Sequence, residues 1–190
     1  MQQDPSKENN HSKDDIVPTD SRGLYEWQTH YPQEARKEFF LEGLYLFLLL
    51  LLSLFLIFLT WRNVISELLG LQGSAIVSFN KYAYYSVAGL LGGVVTGIKY
   101  HYHVVAKGRW HEDRRLWRVL SPWLSLGVAF GMGTLIEAGW VSLKGQSLQG
   151  HSAGFVAVGF LIGLFSDAAL RMMQRIAEAV FGSSRDDKKD

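Results

Sequence analysis

The segment of this chain richest in ligand-binding side chains lies at residues 99–120, KYHYHVVAKGRWHEDRRLWRVL. Its 22 residues include six lysines and arginines, three histidines, two tyrosines and two tryptophans. Arginine forks bind phosphate groups through paired hydrogen bonds, and aromatic faces stack on nucleobases. The mixture predicts a site for an anionic ligand such as a nucleotide or a short single strand of DNA. The candidate ligand-binding residues are Tyr102, Lys107, Arg109, Trp110, Arg114, Arg115, Trp117 and Arg118.

The same composition has a second interpretation, as a loop that lies against a membrane. Lysine and arginine concentrate in cytoplasmic loops, and tryptophan and tyrosine concentrate at the level of the lipid headgroups. His101, His103 and His111 also raise the question of a metal site. The first two are two residues apart and point to different sides of a helix, and the chain has no cysteine to complete a site. We therefore expect no metal ion and no other cofactor.

Four apolar segments flank this loop, each close to the ~20 helical residues that cross a bilayer. They lie at about residues 39–61, 82–98, 120–141 and 152–170, and Glu42 falls near one end of the first. The sequence thus predicts an all-α integral membrane protein with four transmembrane helices, assembling as a homo-oligomer. The remaining segments are a disordered polar tail with an interfacial lead-in at 1–38, the cytoplasmic loop at 99–119, an amphipathic extension at 171–181 and a charged tail at 183–190.

The distribution of positive charge predicts the orientation in the membrane. Of the 19 lysines and arginines, only Arg62, Lys81 and Lys144 lie in the first and third loops between the spans. All the others lie in the two terminal segments or in the middle loop. Because cytoplasmic segments carry the excess of these residues, both termini and the middle loop are expected in the cytoplasm. The expected location is the bacterial inner membrane, with the lipid bilayer as a partner.

The second span carries Gly89, Gly93 and Gly97 at a spacing of four residues, which lets helix backbones approach closely. Two interpretations stay open, packing within one monomer and packing between subunits of a homo-oligomer, with a tetramer favoured. A small four-span chain has little room for an internal pathway, so a pore would need several copies around an axis lined by this span.

Two acidic residues fall inside the predicted spans. Glu137, near the outer end of the third span, would form an acidic ring in such an oligomer and favour cations. The alternative is that Glu137 simply lies at the outer interface. Asp167 is expected to form an ion pair with Arg171, four residues later on the same helix face. The alternative is that Asp167 contacts the basic middle loop instead.

No enzymatic motif is present in the sequence. There is no nucleophile elbow of the GxSxG type, no phosphate loop and no HExxH pair. We therefore expect a protein that is not an enzyme.

Two stretches carry a resemblance to known proteins, GLLGGVVTGIKYHYHVVAKGRWHEDRRLWRVLSPWLS at 89–125 and GFLIGLFSDAALRMMQRIAEAVFG at 159–182. They resemble small four-span bacterial membrane proteins that accompany anti-phage systems, in particular the membrane channel effector of the Hailong defence system. The resemblance covers roughly residues 40–182 and rests on architecture. It implies a tetrameric ion channel that short DNA oligomers hold shut. The partner implied is the nucleotidyltransferase that makes those oligomers.

Two other functions remain open for a protein of this kind. It could be a non-conducting membrane sensor that docks a soluble defence effector on its basic loop, as in the Kiwa-type pair. It could also be a structural membrane scaffold whose glycine faces only assemble. A stoichiometric soluble partner without conductance would favour the sensor, and indifference to charge reversal in the loop would favour the scaffold.

Overall fold

A computed structural model describes residues 31–107, 109–141 and 152–182, and in these ranges every regular element is a helix. The six α-helices are α1 (Gln33–Trp61), α2 (Val64–Leu68), α3 (Ser74–Ala106), α4 (Arg115–Glu137), α5 (Ser152–Leu164) and α6 (Ser166–Phe181). A 3-10 turn, Glu112–Arg114, precedes α4. The predicted all-α class is confirmed. Residues 1–30 of the predicted tail at 1–38 and the whole predicted tail at 183–190 lie outside the described residues.

Two of these helices, α1 and α4, are long and apolar enough to cross a membrane. A third candidate is the pair α5 and α6 taken together, although the two helices meet at 94°. The second predicted span lies inside α3, whose tyrosines and glycines make it less apolar than α1. By length and composition the described chain thus has two membrane-crossing helices, or three if the bent pair is counted.

Helix α3 is the centre of the fold and packs against α1, α4 and α5. It runs antiparallel to α1, as two hydrogen bonds show. The Tyr31 hydroxyl donates to the Val105 carbonyl at one end, and the Asn80 amide donates to the Asn63 side chain at the other. Helix α4 is also antiparallel to α3, whereas α5 runs in the same direction as α3. Tyr85, Ala88, Leu90 and Val94, all on α3, are almost wholly buried.

The glycine stripe of α3 packs within the chain. Gly89 faces Ala129 of α4, Gly93 lies against Ser125 and Pro122 of α4, and Gly97 faces Leu46 of α1. The first of the two interpretations of the stripe therefore describes this fold. The interpretation that Gly89, Gly93 and Gly97 line a pore axis between subunits is wrong, because α4 and α1 already occupy that face of α3.

The fourth predicted span differs from the structure at its C-terminal end. It was expected to continue straight from 152 through 170 into the amphipathic extension, but α5 ends at Leu164. Phe165 leaves the helical conformation (φ −114°, ψ 38°), and α6 turns away by 94°. Asp167, Arg171 and Arg175 would be costly inside hydrocarbon, and the turn places all three on the separate helix α6.

The predicted cytoplasmic loop at 99–119 is mostly helical. Helix α3 continues to Ala106 and α4 begins at Arg115, so only 107–114 connect them outside an α-helix. The predicted tail at 1–38 is likewise helical from Gln33 onward, since Glu34, Ala35, Arg36 and Lys37 favour helix formation. The basic segment is therefore held by two long helices and a short connection.

We expect glycine substitutions to separate tight helix contacts from open ones. A Cβ atom added at Gly159 of α5 would lie 2.6 Å from the Tyr85 carbonyl oxygen, whereas one at Gly127 of α4 would meet nothing within 4 Å. Gly159→Ala should lower the free energy of unfolding by about 1–3 kcal/mol, because the α3 backbone must move. Gly127→Ala should leave it unchanged or raise it by up to about 1 kcal/mol through helix propensity.

Thermal unfolding of both variants in the same detergent is the measurement. Equal midpoints for Gly159→Ala and Gly127→Ala would contradict the close α3–α5 contact.

Candidate functional site

A buried ion pair joins α1 to α4 at the end of the bundle where α1 begins and α3 ends. Glu42 is only 4% exposed and Arg118 only 6%. Arg118 Nε donates to Glu42 Oε2 at 2.9 Å, and Nη2 donates to Oε1 at 2.8 Å. This is the two-pronged geometry in which arginine binds carboxylates most strongly. The pair fixes the first turns of α4 against the side of α1.

Trp110 extends this pair into the connection between α3 and α4. Its indole Nε1 donates to Glu42 Oε2 at 3.1 Å, and the Arg118 guanidinium lies 5.3 Å from the centroid of its ring. Arg118 Nη1 also donates to the carbonyl of His111 at 3.1 Å. The connection is thus held by a cation–π contact and two hydrogen bonds to the same charged centre.

His101 brings α3 into the cluster. Its Nδ1 lies 3.4 Å from Glu42 Oε2 but makes no hydrogen bond there, although the atom is buried. Burial lowers the pKa of His101, and the charge of Glu42 opposes part of that effect. The lowered pKa favours the neutral form of His101, and the guanidinium of Arg118 balances the charge of Glu42.

A more exposed layer covers this centre. Arg115 Nη1 lies 2.5 Å from Glu38 Oε2, and both side chains are partly open to solvent. The backbone N–H of Trp110 donates to the Tyr31 hydroxyl at 3.3 Å. Tyr31, just before α1, therefore contacts the α3–α4 connection, and Glu38 of α1 contacts the start of α4. We call Glu42, His101, Trp110, Arg115 and Arg118 the charge cluster.

The charge cluster fits a positioning role better than a catalytic one. Both oxygens of Glu42 accept hydrogen bonds, and all three nitrogens of the Arg118 guanidinium donate to Glu42 or His111. No carboxylate or guanidinium group at its centre is left to act on a substrate. Among the described residues no group of three or more histidines and acids is arranged to hold a metal ion.

The structure divides the eight predicted ligand-binding residues into two sets. Trp110, Arg115 and Arg118 contact acids of α1, and their binding of an external ligand stays a prediction. The physical reason for these contacts is Glu42, an acid in an apolar helix that requires a counter-charge. The other five are exposed, with Tyr102 at 74% and Trp117 at 61%. These five are Tyr102, Lys107, Arg109, Arg114 and Trp117.

Glu137 lies at the opposite end of the bundle and is paired inside the chain. Its carboxylate lies 2.7 Å from Lys81 Nζ, and the Tyr85 hydroxyl donates to it at 3.3 Å. Lys81 of the same chain thus neutralises the charge of Glu137, and the acidic ring in an oligomer stays a prediction.

Asp167 and Arg171 do not form the predicted ion pair. Both are exposed on α6, and over the described ranges neither side chain has an ion-pair partner. Asp167 is in the first turn of α6, where the helix dipole already favours an acid. Both side chains instead line a cavity beside α3 and α4.

The sequence interpretation missed the roles of Glu42 and His101. A signal for Glu42 was present, because it is an acid within the first apolar segment and such a group needs a partner. Its partner Arg118 lies 76 residues away, and the sequence has several equally basic candidates. His101 gave no signal beyond its place in the basic segment.

Comparison with known proteins finds no matching family model, no matching curated protein and no matching solved structure. The functional argument therefore rests on the geometry of the chain itself.

Removing one member of the buried pair should be far more damaging than removing the exposed pair. Arg118→Met leaves the Glu42 carboxylate buried without a counter-charge, and we expect it to cost about 3–5 kcal/mol of unfolding free energy. The double variant Glu42→Leu/Arg118→Met should cost clearly less than the two single changes added together. Glu38→Gln, which affects the exposed pair with Arg115, should cost at most about 1 kcal/mol.

Thermal unfolding in detergent measures these differences. Additive effects of Glu42→Leu and Arg118→Met would show that the two side chains do not interact.

The charge cluster should also make stability depend on pH through His101, which lies beyond the predicted second span. Because burial lowers its pKa, the folded state takes up this proton less readily than the unfolded chain. Stability should therefore be greatest above the unfolded value of about 6.5 and decrease as the pH falls below it.

The measurement is the unfolding midpoint at pH values from about 7.5 to about 5.5. His101→Gln should flatten this dependence, whereas the matched change His103→Gln, at an exposed position of the same helix, should not. An unchanged pH profile in His101→Gln would rule out His101 as its source.

Proposed function

We propose that this chain is a channel-forming effector of a bacterial inner membrane, held closed by an anionic ligand in the cytoplasm and active in anti-phage defence. The ligand class is a nucleotide or a short single-stranded DNA. The observation that carries the proposal is an exposed set of basic and aromatic side chains beside the charge cluster. We call this set the basic surface, and it comprises Lys99, Tyr102, Lys107, Arg109 and Arg114.

The proposal includes four membrane spans. Helix α3 lies antiparallel between α1 and α4 from Lys81 to the level of Val105, so a bilayer crossed by those two helices is also crossed by α3. The helix rises about 27 Å between Lys81 and Lys99 at ~1.5 Å per residue, close to the ~30 Å of a hydrocarbon core. Helix α5 lies beside α3 but has only 13 residues, so in this proposal α5 and the first turn of α6 together supply the fourth crossing.

The orientation follows from the two ends of this bundle. The end that carries the basic surface is richer in lysine and arginine, whereas the opposite end has Arg62 and Lys81 among the described residues. Since basic residues are retained on the cytoplasmic side, the basic surface and both termini face the cytoplasm.

The basic surface is suited to transmit ligand binding to the membrane helices. It lies on the end of α3 and on the connection to α4, and that connection is bound to Glu42 of α1 through Trp110 and Arg118. A ligand that neutralises the basic surface therefore acts on three helices at once. It would keep a channel closed by binding the closed state more tightly than the open state.

Conduction would require an assembly, for which we retain a homo-oligomer with a tetramer favoured. The glycine face of α3 is occupied, so the exposed faces of α1 and α4 are left for contacts between subunits. On α4, Gly127 has open space where a side chain would be, and Phe130 beside it is exposed. Close packing of helices from neighbouring subunits at Gly127 is compatible with membrane helix association.

The resemblance to the Hailong channel effector agrees with this proposal in two features, the helical bundle and the basic surface. A multi-span bundle and an arginine-rich cytoplasmic surface are what a channel closed by DNA oligomers requires. The partner would then be a nucleotidyltransferase, which acts through its oligonucleotide product.

A non-conducting sensor that docks a soluble defence effector is the second candidate. A structural membrane scaffold, which neither conducts ions nor docks an effector, is the third. The observation that favours both is that the buried acid Glu42 and the partly exposed Glu137 are each paired within one chain. Capture of a stoichiometric soluble partner by protein that carries no current would decide for the sensor.

The test is ion flux from liposomes that contain the purified full-length protein, with and without short DNA oligomers on the cytoplasmic face. We expect flux that the oligomers suppress. Arg109→Glu/Arg114→Glu should raise the oligomer concentration needed for half suppression by at least about tenfold, because two charged contacts are lost. Arg62→Glu, an exposed arginine at the opposite end of α1, is the matched control and should behave as the wild type.

Absence of flux from folded, inserted protein in both conditions would refute the channel. Equal suppression in Arg109→Glu/Arg114→Glu and in the control would refute the basic surface as the ligand site.

A further inference from the structure

A cavity of about 460 Å³ lies where α5 bends into α6, and Arg118 is the one member of the charge cluster that lines it. Its walls come from the end of α3, the start of α4 and the first turns of α6. This volume is within the range of sites that hold small ligands. The cavity lies at the ends of the predicted second and third spans, which is the depth of the inner headgroups in the proposed orientation.

The polar lining of the cavity combines one positive and one negative side chain. Arg171 and Asp167 lie one turn apart on α6, both are exposed, and neither forms an ion pair with another described residue. Arg118 also reaches the cavity, but its guanidinium is occupied by Glu42. Two opposite charges are thus available within one site.

The remaining lining is amphipathic. Trp117 and Tyr100 are exposed aromatic side chains of the kind that settles at headgroup depth. Leu164, Phe165 and Ala168 form an apolar side next to them. A ligand here would meet apolar groups and aromatic rings on one side and the two charges on the other.

We propose that this cavity binds a zwitterionic phospholipid headgroup, with its phosphate beside Arg171 and its ammonium group beside Asp167. A purely anionic ligand would satisfy Arg171 but would be repelled by Asp167. The apolar side takes the start of the acyl chains, and Trp117 lies at the ester level. This inference depends on the membrane orientation given under Proposed function, but not on conduction.

The phosphate-linked amine could come from the bilayer or from a soluble molecule, so the test has two arms. The full-length protein is placed in nanodiscs with equal amounts of phosphatidylethanolamine and phosphatidylglycerol, and the lipid retained after extraction is measured by native mass spectrometry. We expect phosphatidylethanolamine to be retained at least about fivefold over phosphatidylglycerol, because Asp167 attracts the ammonium group of the former and repels the net negative charge of the latter. In the second arm, soluble glycerophosphoethanolamine competes at matched concentration.

Three variants separate the two charges. Asp167→Asn should lose the preference for phosphatidylethanolamine and retain more phosphatidylglycerol than the wild type, because the repelling carboxylate is gone. Arg171→Gln should lose both lipids. Arg175→Gln, one turn further along α6 and outside the cavity, is the matched control and should keep the wild-type ratio.

Displacement by glycerophosphoethanolamine would assign the site to a soluble ligand of the same chemistry, whereas retention against it would assign the site to the bilayer. Equal retention of both lipids by the wild type, unchanged in Asp167→Asn, would overturn the proposal. Since lipid retention requires no current, the failure of this proposal and the failure of the channel are distinguishable.

Discussion

A carboxylate in an apolar helix is the constraint on which this end of the molecule depends. Glu42 lies within α1 and is almost wholly buried, so it needs a counter-charge and donors for both oxygens. Arg118 supplies the charge and two of the donors, and Trp110 supplies the third. Meeting that need fixes the start of α4 against α1 and draws the α3–α4 connection over the pair. The position of the basic surface is therefore a consequence of one buried acid.

The other half of the architecture depends on backbone contacts rather than on large apolar side chains. Helix α3 is central although α1 is more apolar, because bilayer lipids solvate leucine and phenylalanine as well as a protein interior does. Association between membrane helices is favoured where small residues allow close approach. Gly89 and Gly93 of α3 and Gly159 of α5 lie at such contacts, while most phenylalanines and leucines of α1, Leu46 and Leu49 excepted, remain partly or largely exposed.

The sequence predicted the helical class and the approximate places of α1, α4 and α5, because long apolar runs depend only on local composition. It also indicated that the glycines of α3 allow close packing, but not which helix fills them. The pairing of Glu42 with Arg118 was not predictable, since several arginines offer the same chemistry and the tertiary fold selects one. The bend at Phe165 was missed because amphipathic spacing after Leu170 defines a helix face and carries no information on the angle between two helices.

The contact between α3 and α5 also determines which amino-acid substitutions the fold tolerates. At Gly159 and Gly163 the neighbouring atoms belong to the α3 backbone, which cannot change rotamer to make room. No compensating side-chain substitution on α3 can relieve a methyl group there. Along α1, by contrast, the exposed leucines and phenylalanines can exchange among themselves without disturbing a neighbour. Random substitutions should therefore accumulate on the exposed face of α1 and be removed at Gly159 and Gly163 of α5, which face the α3 backbone.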